Sequence, residues 1–411
     1  MTSAIPPHDP RTPAVSSKAP ESPIAARSSH CSVCGGALEV AIDLPDLPLT
    51  DTFCRQPHGE LLPGLDQRLL FCEECGHAQL ETQIAPEILY GASYGFRTSA
   101  SATARKGTSF FLATLDQAAP GRRFKCVLDL GCNDLFLLDQ LKPRADVRIG
   151  IDPVWKGRES ECKDPSVMVF GSSIEELNLN QLPEKPDLVV CRHTLEHIFQ
   201  PRSVLAALLD LAAPDALFLF EVPGFDGLVA RSRFDQVFHQ HLQYFSLGSL
   251  TELLKQAGAG YLLHRENYHD WGALAVAFTR DGTAPSPKAP RHKLHNVRLQ
   301  YRLFRDQMRN TRTILEGLQG RVYGYGAAQM LPVLAYHLES DLSQLAAILD
   351  DDPQKEGIGY RNLPVRVIPS ALAEDFAAST VLITAIDNVQ PIMTKLLAMR
   401  PRHIVFPFHT I

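Results

Sequence analysis

The stretch Phe238-His239-Gln240-His241 runs directly into Leu242-Gln243-Tyr244-Phe245-Ser246. Its two imidazoles each titrate near neutral pH and can take or give a proton. A second kind of chemistry is written near the other end of the chain. Cys31-Ser-Val-Cys34 and Cys72-Glu-Glu-Cys75 each put two thiols on one tight knuckle, and each is followed by glycine, Gly35 and Gly76. Two knuckles complete a tetrahedral four-sulfur site whose usual occupant is zinc, and four sulfurs leave no open position, so the metal would be structural. The alternatives are a redox CxxC or buried free thiols, although a thioredoxin-like motif needs one CxxC after a strand rather than two. Residues 35–71 exceed the usual ribbon spacing, so a small domain must be inserted between the pairs. Cys54, inside it, is either a spare ligand or a core residue.

The elements that must position these groups alternate between strand and helix. Cys126–Leu130 is a short apolar run ending at Gly131, as a buried strand meeting a loop would be, and Phe136–Leu141 then has the apolar density of a helix. A second strand, Val147–Ile151, ends at Asp152, 23 residues after Asp129. That is about the offset at which a dinucleotide fold sets an acid against ribose hydroxyls. Strands follow at 167–170, 187–191 and 216–222, which implies a mostly parallel sheet with helices on both faces. The loop Gly131-Cys132-Asn133-Asp134-Leu135 has one glycine where a pyrophosphate fingerprint has three. S-adenosylmethionine carries no phosphate; it needs acids for its ribose and amino group and no positive charge beside its sulfonium. Asp129, Asp134 and Asp152 suit it, although such acids also cap helices, Asp134 among them.

Length and composition bound the rest. A chain of 411 residues allows roughly two to three domains. Hydrophobic content of 45% and charged content of 21% are those of a folded protein, and a net charge of −6 argues against a polyanion-binding surface. No apolar run approaches the roughly 18 residues of a membrane span. The N-terminus lacks a secretory pattern, and the nine cysteines, an odd number, argue against a disulfide framework. The expectation is a soluble, cytoplasmic protein. Six prolines among residues 1–29 read as a disordered tail. The divisions that follow are a zinc-binding domain at 30–90, a nucleotide-binding α/β domain at 91–282, a linker at 283–296 and a further α/β domain at 297–411.

Taken together, these motifs resemble the sugar C-methyltransferases, which alkylate ring carbons of nucleotide-linked keto-deoxysugars. The likeness runs through the paired CxxC, Cys75-Gly-His-Ala-Gln-Leu80, the Tyr94-Gly-Phe96-Arg-Thr-Ser99 segment, the Asn133-Asp134 loop, the His-Gln-His segment and a C-terminal Gly324-Tyr-Gly326-Ala. It implies a class I S-adenosylmethionine methyltransferase domain of Rossmann-like fold, between a small zinc domain and a second Rossmann-like domain that helps hold the sugar nucleotide. It implies S-adenosylmethionine and structural zinc as cofactors, with Gly131, Asn133 and His193 joining the three aspartates at the methyl donor.

The resemblance also implies a mechanism. Carbon is a poor nucleophile until a neighbouring ketone lets it form an enolate, so a base must remove its proton while donors stabilise the oxyanion. By similarity His241 falls at the base position and His197, in His193-Thr-Leu-Glu-His197, on another active-site histidine; a helix-start role for His197 weighs equally. Gln240 and His239 are grouped with them, His239 as a support beneath the site. The sequence also departs from the family: Phe238 and Gln240 stand where tyrosine and glutamate are common, Phe96 replaces a second frequent tyrosine, and Leu135 a glycine. Phe238 has no hydroxyl to donate, and Gln240 cannot carry charge. Methylation of oxygen or nitrogen on another small substrate or RNA, or sugar-nucleotide binding without turnover, stays open beside C-methylation.

In the C-terminal third a charged helix, 297–318, leads into Val322-Tyr-Gly324-Tyr-Gly326-Ala-Ala, and a strand at 345–349 ends at Asp350. As a lone Gly-x-Gly, with Gln329 at the third glycine's place, it carries little weight for NAD; a duplicated scaffold explains it better. The resemblance sets this loop near the substrate's nucleotide, with Tyr94 and Phe238 lining the sugar, and His269 either near the sugar or stabilising its own loop. Lys355 could meet a phosphate or be an ordinary solvated lysine.

Overall fold

A computed structural model describes residues 23–55, 61–89, 97–267, 272–282, 285, 287–289 and 291–408. Tyr94, Phe96 and His269 lie outside the described residues.

The central sheet has seven strands in the spatial order Gly260–Asn267, Ala273–Thr279, Leu217–Pro223, Leu188–Arg192, Phe124–Leu130, Ala145–Ile151, Val167–Phe170. The last five pair in parallel, and the first two add antiparallel. Strands buried on both faces read as continuous apolar runs, and their alternate residues feed opposite cores. Phe218 and Phe220 pack into one cluster, with Val189 and Cys191; Leu217 and Leu219 pack into the other, with Leu188 and Val190. The flanking helices start where the sequence supplies a cap. Ser101 accepts from the Ala104 amide ahead of Ala102–Ala118, Pro201 opens Pro201–Leu211, and Ser246 with Ser249 forms a capping box for Leu247–Gln256. Strand order reverses between Phe124–Leu130 and Leu188–Arg192, so the loops that follow them meet at the carboxyl edge, where open α/β sheets bind ligands.

Two strand exchanges join the other domains to this one. The zinc domain's antiparallel sheet, Glu39–Leu47, Leu65–Phe71 and Ala78–Leu80, is completed by Gln243–Tyr244, just downstream of His241. The C-terminal sheet runs His403–Val405, Thr380–Ile383, Val322–Tyr325, Ile348–Leu349, Leu363–Ile368, Gly359–Tyr360, and ends on Phe53–Cys54 from the segment between the two CxxC pairs. One apolar cluster spans all three units, from Leu44 and Phe71 through Phe225 and Phe234 to Phe304 and Leu331.

Some expected boundaries move. The tail read as 1–29 ends earlier, because Ile24–Arg27 pairs antiparallel with Thr82–Ile84 and Ser28 donates to the Glu81 carbonyl at 2.7 Å. The C-terminal helix begins at Leu294 inside the expected linker, where buried Leu294 and Val297 anchor its first turn. Among the described residues no helix is long and apolar enough to cross a membrane.

Candidate active site and metal centre

The sulfurs of Cys31, Cys34, Cys72 and Cys75 lie within 4.8 Å of one another. Contacts across the knuckles are 3.6 Å for Cys31–Cys75 and 3.5 Å for Cys34–Cys72. A tetrahedron with Zn–S bonds of about 2.3 Å sets its sulfurs about 3.8 Å apart, so the set fits zinc. Each knuckle is closed by the amide of the following glycine: Gly35 to the Cys31 carbonyl at 2.9 Å and Gly76 to the Cys72 carbonyl at 2.8 Å. The neighbouring sulfurs drive the Cys72 thiol down, while Cys72 and then burial, against Cys75, push Cys31 up to about 12. Four thiolates so close need a cation between them. Behind the centre, buried His77 meets Gln243 Oε1 at 2.9 Å, tying the metal domain to the strand after His241.

The Gly131–Leu135 loop is built by its own side chains. Gly131 has φ +77°, and a Cβ there would lie 2.0 Å from Thr194 Oγ1, so only glycine lets this loop pass the one after the fourth strand. Asp152 accepts from the Asn133 amide at 2.8 Å and the Val154 amide at 2.9 Å, clamping the loop to the neighbouring strand. Asn133 Oδ1 accepts from Thr98 N and Asp134 Oδ2 from Ser99 N, which brings the segment before Ala102–Ala118 over the loop. Asp134 Oδ1 is buried with no hydrogen-bond partner among the described residues, as an acceptor awaiting an ammonium would be. Asp129 is 2% exposed; burial, then Asp152, raise its carboxyl to about 8. The acids and the bare Gly131 backbone therefore fit S-adenosylmethionine.

The histidines separate by direction. His197 and His241 face each other with ring centroids 5.0 Å apart, and Phe238 lies 4.2 Å from the His241 ring. His197 Nδ1 is 2.7 Å from the Gln240 carbonyl, which can only accept, so Nδ1 carries the proton. His239, grouped with the catalytic candidates, turns the other way: it is 1% exposed, with Nε2 2.9 Å from the Leu47 carbonyl and Nδ1 3.4 Å from Gln67 Nε2. Gln240 likewise spends its amide on the Leu89 carbonyl at 3.2 Å. His193 lies 3.4 Å from Glu196 and 3.2 Å from Glu221. Burial alone would lower its pKa, but the two carboxylates raise it on balance.

Glu196 and Glu221 are the functional candidates that sequence reasoning passed over. Glu221 is fully buried and takes Arg192 Nε at 2.6 Å; its signal was one acid inside Leu-Phe-Leu-Phe-Glu-Val-Pro. Glu196 is 1% exposed, and it shares a cluster with His197 and His241 whose donor atoms all lie within 4.8 Å. Burial raises its carboxyl, yet His193, His197 and His241 outweigh that and hold it at about 2. His241 is pushed to about 3 by burial and then by His197, with Glu196 opposing. The carboxylate partner that Gln240 cannot supply is thus present in the loop after the fourth strand.

The C-terminal loop closes on itself. A Cβ on Gly324 would meet Ile348 Cδ1 at 2.4 Å, so that glycine serves strand packing. Lys355, its side chain 30% exposed, donates from Nζ to the Ala327 carbonyl at 2.9 Å and to Asp350 at 3.1 Å, so two of its three protons are spent within the domain. Gln329 donates to Asp51, and Gly326 is buried against Ala385. The loop and its lysine are braced to the scaffold.

Residues 101–263 match the family model described as "Methyltransferase domain", and residues 31–90 the one described as "Putative zinc binding domain". Over 246 residues the chain is 27% identical to the C-methyltransferase NovU of Streptomyces niveus, covering 56% of this chain. It spans about half, 55%, of that relative's length. Among solved structures it is similar to the N-methyltransferase NodS of Bradyrhizobium japonicum in complex with S-adenosyl-L-homocysteine, at 16% identity and a TM-score of 0.36, covering 47% of this chain and 94% of that one. It is also similar to a Burkholderia thailandensis 1,6-didemethyltoxoflavin-N1-methyltransferase, at 17% identity and a TM-score of 0.33, covering 44% and 79%. The chain carries a Rossmann-like methyltransferase domain preceded by a zinc-binding domain.

Proposed function

Starting from that pairing of domains, we propose that the protein is an S-adenosylmethionine-dependent methyltransferase that alkylates carbon, on a nucleotide-linked keto-deoxysugar, through a base-generated enolate. The observation that carries the reading is the pair of facing imidazoles, His197 and His241, at the carboxyl edge beside the Asp129–Gly131 loop. S-adenosylmethionine, when bound, supplies an electrophilic methyl group and needs no further activation. The protein's own task is therefore to make carbon nucleophilic and to hold it in line. Asp134, with its unpartnered oxygen, and buried Asp129 would receive the cationic amino-acid end of the donor; Asp152 holds the loop in shape.

His241 takes the proton from the carbon beside the ketone, and the C–H electron pair becomes the enolate. His197, with Nδ1 donating to Gln240, has Nε2 as its exchangeable position and serves proton transfer at the ketone oxygen. Phe238, packed on the His241 ring, excludes water from the base without donating to the oxyanion. The relative named a C-methyltransferase supports carbon as the acceptor. Branched deoxysugar biosynthesis in the cytoplasm is the setting that follows from such a substrate. Methyl-labelled S-adenosylmethionine with a panel of nucleotide-4-ketosugars tests this: label should appear on ring carbon. Label on oxygen or nitrogen would overturn the enolate route, and His241→Ala should reduce transfer by roughly 10²-fold or more.

A further inference from the structure

We propose that Glu196 is the positioning carboxylate of the histidine cleft, a buried anion that holds the His197–His241 pair and balances the positive charge formed when a ring takes a proton. The proposal rests on the reading of these rings as proton-handling groups.

Geometry carries it. Leu195–His197 forms a single helical turn after the strand Leu188–Arg192, and Glu196 is its buried member. Both of its carboxylate oxygens are buried and accept no directed hydrogen bond among the described residues. Buried carboxylates are nearly always hydrogen-bonded or paired, and the nearest ion-pair partner here is the His193 imidazole, Nδ1 at 3.4 Å. The neighbouring cation, Arg192, is committed to Glu221. On the cofactor side Asp129 and Asp152 are acids, with Arg97 acting on Asp152. What faces Glu196 is imidazole: His193 at 3.4 Å, with the His197 and His241 donor atoms inside 4.8 Å. Its counter-charge is therefore one that comes and goes with a proton.

The backbone keeps the carboxylate there. The Glu196 carbonyl accepts from the Leu242 amide at 2.7 Å, one residue after His241. His197 Nδ1 donates to the Gln240 carbonyl at 2.7 Å, one residue before it. The two loops are stitched on either side of His241, so acid and base cannot drift apart. In the reaction the substrate C–H proton moves to imidazole nitrogen, the electron pair stays as enolate, and the imidazolium stands beside Glu196 until solvent takes the proton after methyl transfer. Glu196 here does the work for which Gln240 has no charge.

The test compares Glu196→Gln with Glu196→Asp in the full-length, zinc-loaded protein. Three measurements are made: kcat and KM for methyl transfer to a nucleotide-4-ketosugar, washout of the α-carbon hydrogen into D2O with S-adenosylhomocysteine bound, and NMR titration of the histidine ring protons without substrate. A unit charge at 4.8 Å and an effective dielectric of 20 corresponds to roughly 300-fold, which solvent access to half-buried rings reduces to about 30–100-fold. Glu196→Gln should lower kcat and washout together by that factor while KM holds within about threefold. Glu196→Asp, which keeps the charge, should recover most of the loss. In the Gln variant the ring titrations should move to lower pH, since losing the anion disfavours imidazolium. Equal losses in Gln and Asp with unmoved titrations would make Glu196 a scaffold residue and overturn the proposal. Should the wild type methylate no ketosugar, the functional reading fails, while the titrations still decide the role of Glu196.

Discussion

Replacing Gly131 by alanine probes the cofactor loop through a single added carbon. At φ +77° an L-residue is strained by about 1–2 kcal/mol. The new Cβ would also sit 2.0 Å from Thr194 Oγ1 and 3.1 Å from Thr194 Cβ and Cγ2. Relieving that overlap turns the threonine away from the Leu130 carbonyl at 3.0 Å and the Arg192 carbonyl at 3.3 Å, which removes about 0.5–1.5 kcal/mol of hydrogen bonding. The sum is about 1.5–3.5 kcal/mol, concentrated where two strand-end loops cross. Gly131→Ala should therefore lower the melting temperature by several degrees and weaken S-adenosylmethionine binding by at least about tenfold. The double-mutant cycle is the sharper measurement. In a Thr194→Ala background the clashing oxygen is gone and only the retained Cβ, at 3.1 Å, stays tight, so Gly131→Ala should cost little beyond the backbone strain of about 1–2 kcal/mol. Calorimetric titration of the methyl donor and thermal unfolding of all four proteins provide the numbers. A Gly131→Ala protein with unchanged affinity, or a cost that Thr194→Ala leaves untouched, would refute the loop-crossing argument.

Other outcomes follow from the same geometry. Metal analysis should find one zinc per chain, and Cys72→Ser should abolish it; because Gln243–Tyr244 is a strand of the metal domain's sheet, zinc loss should also reduce methyl transfer. Asp129, raised to about 8 by burial and Asp152, must ionise to meet a cationic ligand, so donor affinity should increase as pH rises from about 6.5 to 8 and level off above it; affinity falling over that range would contradict this role. His337, buried among Tyr301, Phe304 and Tyr336, has its pKa lowered to about 3 by burial and then Arg305. A depressed histidine contributes stability above its unfolded value near 6.5 that is lost as pH falls toward 3, about 2 kcal/mol by pH 5. Thermal scans from pH 7 to 5 should show a drop in melting temperature that His337→Leu makes smaller, and equal slopes would exclude His337 as its source.

Much of this was legible in the chain itself. The four cysteines were readable because thiolate pairs at CxxC spacing have little else to do together, and they meet as expected. The parallel sheet was readable because strands buried on both faces leave continuous apolar runs such as Val127-Leu128-Asp129-Leu130. Helix and strand ends were less so: strand 345–349 shrinks to Ile348–Leu349, since pairing with Val322–Tyr325 and Leu363–Ile368 decides where hydrogen bonding begins. Lys355 had the right type and place for a phosphate, and only the approach of Asp350 and the Ala327 carbonyl shows it committed. Glu196 hid for the opposite reason. An acid beside a histidine at a helix start is commonplace, and its burial is invisible until the segment at 238–242 folds over it.

The sequence by itself determined the methyltransferase and zinc-binding domains and the four-cysteine set, because each depends on residue type and short-range spacing. The tertiary structure decided which histidines share a cleft, which carboxylate stands behind them, and how the zinc domain is bound to both neighbours through Gln243–Tyr244 and Phe53–Cys54. Those are encounters between segments tens to hundreds of residues apart. Spacing along the chain does not encode them, since the direction a side chain faces is set by the packing of the whole sheet edge and not by its neighbours in sequence.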